Sequence, residues 1–215
     1  MTADTLLGPD QQPCSNLMRT AVRLLSHGSP ITVTELAEAA GVDAADLANA
    51  PAGEDIEYDD ERRIVGWGLT LNPTPHTFVV TVTASTHGAR PTPLMFPTIL
   101  GTQAHVESTC PATGTVIRLT VDQAAGVGDV SPATAVISIP APQDLDDARV
   151  RASCCNPGRF FATAAAAGDW HVQHPRGTVL AVADAYPQLD ALRSRLLDRG
   201  DHELKAYRDL GTSSR

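Results

Sequence analysis

Aromatic residues are scarce in this chain, 4% of 215 positions, and cysteine is scarcer still, four in all. Four cysteines at this length are too few for a disulfide framework, so the small stapled secreted class is excluded and the thiols read as reduced. Positive charge is also short. Sixteen Lys and Arg stand against 25 Asp and Glu, a formal net charge of −9, which argues against nucleic acid or an anionic membrane as the main partner. No apolar run approaches the roughly 18–20 residues of a spanning helix. The acidic start Met1-Thr2-Ala3-Asp4 leads into no apolar stretch, so no secretory signal and no membrane partner are expected, and the expected location is cytoplasmic. Neither a phosphate-cradling glycine motif nor a Gly-x-Ser-x-Gly elbow is present. Asp144, Asp146 and Asp147 cluster but lack the spacing of an EF-hand ligand set and read as a solvated loop.

What remains is an ordinary globular composition, 42% hydrophobic, in a chain long enough for a sizeable core. Residues 1–14 read as a flexible N-terminus. From Ser15 to Leu25 the apolar positions Leu17, Val22, Leu24 and Leu25 have helical spacing, and Gly28, Ser29 and Pro30 end the run. Thr34 reads as the N-cap of a second helix that stops at Gly41, and Asp43 opens a short third one through Ala50. Ile56–Tyr58 and Ile64–Leu71 then read as a hairpin, so residues 15–72 form a winged-helix-like module. Asn72-Pro73-Thr74-Pro75 is a linker, and 76–215 a second unit. There Phe78–Thr83 is a strand, Ser85–Pro93 a loop, and Leu94–Gly101 a short buried helix. Gln103–Ser108, Val116–Val121, Thr134–Ile139 and Val179–Val182 are strands, Asp169-Trp170 starts a helix, and Leu189–Asp198 is the last helix. The fold class is α+β: a helical module followed by a mixed β-sheet core with flanking helices.

Helix-turn-helix geometry invites a DNA-binding reading, which charge opposes. Between Arg19 and Val65 four basic residues (Arg19, Arg23, Arg62, Arg63) face ten acidic ones, whereas phosphate contacts supply most non-specific DNA affinity. No nucleic-acid partner is expected.

Two of the four cysteines, Cys154 and Cys155, are adjacent and lie just before Phe160-Phe161. Thiolates select soft metals such as mercury, copper(I) or zinc. The alternative is a pair of inert buried thiols, since unpaired cysteine is among the most buried residue types. Cys110 stands in a Cys-Pro-Ala-Thr-Gly turn, and Cys14 in the N-terminal segment. His171 and His174 share a helix face without a matching second pair, which is a poor zinc site.

Gly66-Trp67-Gly68-Leu69-Thr70-Leu71, Phe96-Pro97-Thr98-Ile99-Leu100-Gly101, Cys110-Pro111-Ala112-Thr113-Gly114, Ser153-Cys154-Cys155, Phe160-Phe161 and Asp169-Trp170 follow one another in the order and spacing of the alkylmercury (organomercurial) lyases. The chain resembles that family over about residues 17–197, including its N-terminal module, which in the family covers the catalytic core. The resemblance implies capture of R–Hg⁺ by two cysteine thiolates and delivery of a proton to carbon by an Asp. It implies no cofactor; the partner is an organomercurial or another soft-metal ligand. Cys154 falls on the family's second catalytic cysteine and Cys110 on a structural one. The family's first catalytic cysteine and its Asp fall seven and four residues before Phe96, at Ala89 and Thr92, which lack a sulfur and a useful acid. Cys155 as a second thiol and His87 as an imidazole ligand or acid are the candidate replacements. The resemblance thus implies either an alkylmercury lyase using Cys154 or a catalytically degenerate homologue that binds a soft metal or thiophilic ligand.

Overall fold

The computed structural model describes residues 17–44, 55–74, 76–80, 83–88, 94, 96–141, 144, 151–187 and 189. Helix α1 (Leu17–Leu25) buries Leu17, Thr20, Ala21, Val22 and Leu25 along one stripe, the three-and-four spacing that an amphipathic helix requires. Helix α2 (Val33–Ala40) is capped by Thr32 and not by Thr34. Glu35 donates its backbone N–H to the Thr32 hydroxyl at 3.1 Å, and its carboxylate accepts the Thr32 N–H at 2.7 Å. A capping box needs Glu or Gln three residues beyond the cap, and only Thr32 has one; three residues beyond Thr34 stands Ala37. Gly41, with φ +71°, closes the helix, a left-handed position that favours glycine. The expected third helix falls mainly outside the described residues.

An antiparallel hairpin follows, β1 (Glu57–Tyr58) with β2 (Ile64–Trp67), and β2 turns back into β3 (Leu69–Thr70). The turn at Gly68 has φ +75°, and a Cβ there would stand 2.8 Å from Met18 Cε of α1. Glycine is needed for the backbone sign and for the closeness of α1. The hairpin is not a separate sheet. β3 pairs with β5 (Thr83–Gly88) through Thr70↔Gly88, and one eight-stranded sheet runs β1-β2-β3-β5-β4-β6-β7-β8. Here β4 is His76–Val80, β6 Ala104–Thr109, β7 Val116–Asp122 and β8 Gly126–Ser131. Along β6, Ala104, Val106 and Ser108 point inward while His105, Glu107 and Thr109 face solvent, the alternation of a half-buried strand. Glu107 meets its register partner Arg118 at 2.8 Å on the wet face.

A second sheet has the order β10-β9-β11, with β9 (Val136–Ile139) between β10 (Phe160–Phe161) and β11 (Thr178–Ala181). Short helices α3 (Phe96–Leu100) and α4 (Gly168–Gln173) complete the frame, with a helical stretch over 182–187. One apolar cluster runs from Leu17 and Leu36 through Phe96, Ile117 and Ile137 to Phe160 and Leu189.

The class is α+β, as expected, but the sheets differ from the mixed kind: every strand pairing among the described residues is antiparallel. Two strands escaped the sequence patterns. The segment expected to be a loop from Ser85 contains most of β5, because β4 and β3 supply ladder partners on both sides to a stretch of low strand propensity. β8 carries Gly126 and Gly128 and pairs with β7 through a register shift, so its alternation is blurred. The expected last helix lies outside the described residues beyond Leu189. No described helix is long and apolar enough to cross a membrane.

Candidate thiol site

Cys154 and Cys155 end a π-type turn, Arg151–Cys155. Consecutive side chains on a helical turn project roughly 100° apart, so adjacent sulfurs do not share a direction by default. The Cys155 side chain is buried, at 9% exposure, and carries a thiol and not a disulfide; the side chain of Cys154 lies outside the described residues. Asn156, Pro157 and Gly158 then carry the chain to Arg159 and β10. This connector is tied at two places. Arg159 N–H donates to Ser138 Oγ at 2.9 Å, while Ser138 N–H donates to the Arg159 carbonyl at 2.9 Å. The indole Nε1–H of Trp170 donates to the Pro157 carbonyl at 2.7 Å.

β10 fixes the cysteine segment against the large sheet. Phe160, fully buried, meets the His76 ring edge-on, with centroids 5.8 Å apart and an interplanar angle of 68°, a favoured aromatic geometry. His76 is itself buried, and its Nδ1 hydrogen-bonds Ser108 Oγ at 2.6 Å across the β4–β6 register. The next residue of β4, Thr77, pairs with Gly88, the last residue of β5. The chain therefore leaves β5 at the same corner of the sheet that receives Phe160, five positions after Cys155. His87 lies on β5 opposite Phe78; its side chain, and positions Ala89 and Thr92, are outside the described residues. His76, Ser108 and Trp170 were not singled out as site-forming from sequence. For His76 the available signal is a histidine entering a β-branched run directly after a Pro-rich linker.

Cys110 is seated differently. It is 1% exposed and caps a tight turn in which its N–H donates to the Thr115 carbonyl and its carbonyl accepts from Gly114, both at 2.9 Å. Burial pushes its thiol pKa up, but the Thr113 hydroxyl and the backbone N–H groups of Ala162, Ala112 and Thr113 all donate to the sulfur and together hold the pKa below the ordinary value. A depressed folded-state pKa means that the unfolded chain binds the proton more tightly. The resulting stability is fully present above the unfolded thiol pKa of about 8.5 and drains as pH falls through the folded value. The gap in thermal midpoint between wild type and Cys110→Ala is therefore expected to widen from neutral pH towards pH of about 9. A gap independent of pH in a thermal-melt series contradicts a lowered thiol pKa at this position.

The other sequence candidates separate. Asp144 pairs with Arg176, and Asp146 and Asp147 are outside the described residues. His174 stacks on Trp170, with centroids 4.6 Å apart, and uses Nδ1 on the Trp170 carbonyl at 3.0 Å, while His171 is exposed. Among the described residues no group of three or more His, Cys, Asp or Glu side chains forms a metal cluster.

A helix-turn-helix module whose hairpin extends an antiparallel sheet, with the Arg151–Cys155 turn leading into the short strand β10, defines an α+β class of protein. The helix-turn-helix domain of alkylmercury lyase matches residues 2–68, and alkylmercury lyase itself residues 69–191. The alkylmercury lyase of Streptomyces lividans is 45% identical over 186 residues, covering 86% of this chain and 85% of its own. Those of Staphylococcus epidermidis and Pseudomonas putida are 38% and 34% identical, covering 79% and 89% of this chain and 78% and 89% of their own. A crystal structure described as the mercury-bound form of MerB2 superposes with a TM-score of 0.67 at 20% identity, covering 92% of this chain and 94% of that one; at that identity the likeness concerns the fold. The chain belongs to the alkylmercury lyase family.

Proposed function

We propose that this protein captures organomercurial cations, R–Hg⁺, and Hg²⁺ on the thiolate of Cys154, with Cys155 as the second sulfur. Mercury is a soft cation and thiolate the softest ligand available to it. The observation that carries the reading is the joint seating of the cysteine segment and the exit of β5 at one corner of the sheet, through Phe160, His76 and the Thr77↔Gly88 pair. His87, next to that exit, is proposed as an additional ligand or proton source. Cys110, its sulfur already saturated with donors, is proposed as a structural thiol. The helix-turn-helix module, residues 15–72, is read as a cover over the 76–215 core and not as a DNA reader; α2 carries Glu35 and Glu38 and no basic residue.

Protonolysis needs more than capture. When the carbon–mercury bond breaks, its electron pair goes to a proton, R–H leaves, and Hg²⁺ stays on sulfur. Positioned general acids typically contribute about 10²–10⁴-fold, and Ala89 and Thr92 stand where the family resemblance places the first cysteine and that acid. We therefore read the protein as a capture protein with carbon–mercury cleavage at least about 100-fold below that of an intact lyase site. Retained lyase turnover is the second reading, favoured by the 45% identity to the Streptomyces lividans alkylmercury lyase. Incubation with phenylmercury followed by gas chromatography separates the two. Binding with benzene no higher than in a small-thiol control supports capture alone, and benzene well above the control supports the lyase. Equal Hg²⁺ affinity in wild type and a Cys154→Ser/Cys155→Ser variant defeats both.

A further inference from the structure

We propose that Trp170 is a positioning residue for the cysteine pair, acting through the indole N–H that it donates to the Pro157 carbonyl at 2.7 Å. The proposal rests on the capture reading above and adds the device that aims the thiols. Pro157 lies two residues after Cys155, and a proline carbonyl is a rigid place to pull on the chain. The ring fixes φ, and the choices of the preceding residue, Asn156, are narrowed as well. Together with the Ser138–Arg159 pair of hydrogen bonds, this tie leaves the connector after the π-type turn little freedom.

The brace is itself held firmly. Trp170 is 7% exposed. The His174 ring lies nearly parallel to it, 13° between planes, and His174 returns both its N–H and its Nδ1 to the Trp170 carbonyl. On another side, Gly177 gives the indole its space. A Cβ at Gly177 would stand 2.4 Å from Trp170 Cη2 and 3.1 Å from the Ile139 carbonyl of β9. Six residues of helix are too few to be stable alone, so α4 (Gly168–Gln173) draws its position from this packing. A buried indole N–H needs an acceptor wherever it sits; here that acceptor is the carbonyl two residues after Cys155, so the packing of Trp170 is transmitted to the cysteine segment. Misplacement of a reacting group by about 1 Å can cost on the order of 100-fold, so loss of this one tie is expected to be felt at the sulfur.

The test compares full-length wild type with Trp170→Phe, which keeps an aromatic ring and loses the N–H. A protein carrying 3-benzothienylalanine at position 170 keeps the indole shape, removes only the donor, and remains usable where Trp170→Phe does not fold. Leu36→Val, in the buried face of α2, serves as a control that lowers stability without touching the Trp170–Pro157 tie. Two quantities are read: the pH profile of iodoacetamide alkylation at Cys154, located by peptide mass spectrometry, and the ultraviolet sulfur-to-mercury charge-transfer band during Hg²⁺ titration. Both donor-free proteins are expected to change the Cys154 alkylation rate and the Hg²⁺ affinity by roughly tenfold, with a displaced pH profile, while Leu36→Val matches wild type. An unchanged alkylation profile in the donor-free proteins overturns the proposal, as does an equal change in Leu36→Val. If wild type takes up no Hg²⁺ at Cys154, the capture reading fails, and the alkylation comparison still decides the role of Trp170.

Discussion

Replacing Cys154 with serine is expected to weaken phenylmercury and Hg²⁺ binding by roughly a thousandfold, about 4 kcal/mol, while leaving the fold intact. The expectation follows from ligand softness. A serine hydroxyl is a hard, neutral donor at physiological pH, and it cannot replace the covalent character of a mercury–thiolate bond. Cys155 alone should not compensate, because it is buried and a single thiolate cannot supply two-sulfur ligation. Cys110→Ser should leave mercury affinity within about threefold, or ~0.7 kcal/mol, because that sulfur is enclosed and already accepts several hydrogen bonds. Isothermal titration of the two variants side by side checks both. Affinity lost in Cys110→Ser and kept in Cys154→Ser would reverse the assignment.

The second large effect is a gain. The double substitution Ala89→Cys/Thr92→Asp restores, by resemblance, the two groups that protonolysis lacks. A positioned general acid supplies about 10²–10⁴-fold, so benzene release from phenylmercury should rise by at least about 100-fold over wild type. Thr92→Asp alone should give less, because one thiolate places less electron density on mercury and leaves the carbon less basic. If the double variant stays at the wild-type rate while binding mercury normally, the deficit lies elsewhere than at positions 89 and 92.

Much of this molecule was legible from pattern. The stripe in α1, the alternation in β6 and β7, and the apolar Phe96–Leu100 segment each carry their own period or run of burial. The order of short motifs pointed to the family without any one of them being diagnostic. What was not legible depended on partners distant in the chain. β5 is a strand because β3 and β4 flank it, and its own Thr, His and Gly content argued for a loop. The cap of α2 moved from Thr34 to Thr32 because a reciprocal glutamate, and not threonine alone, decides the start. The Trp170–Pro157 tie and the His76–Phe160 contact join residues 13 and 84 positions apart. No local composition announces such pairs. Cys110 illustrates the middle case: the Cys-Pro-Ala-Thr-Gly run marks a turn, whereas the donation from Ala162 to its sulfur requires the tertiary structure.

The most direct measurement of mercury capture at Cys154 is an anomalous-difference map from crystals of the full chain soaked briefly in phenylmercury at stoichiometric concentration. The account predicts its strongest peak within bonding distance of the Cys154 sulfur, with Cys155 the next thiol reached. A map in which mercury sits only on Cys110 or Cys14, or on no cysteine at all, would contradict it.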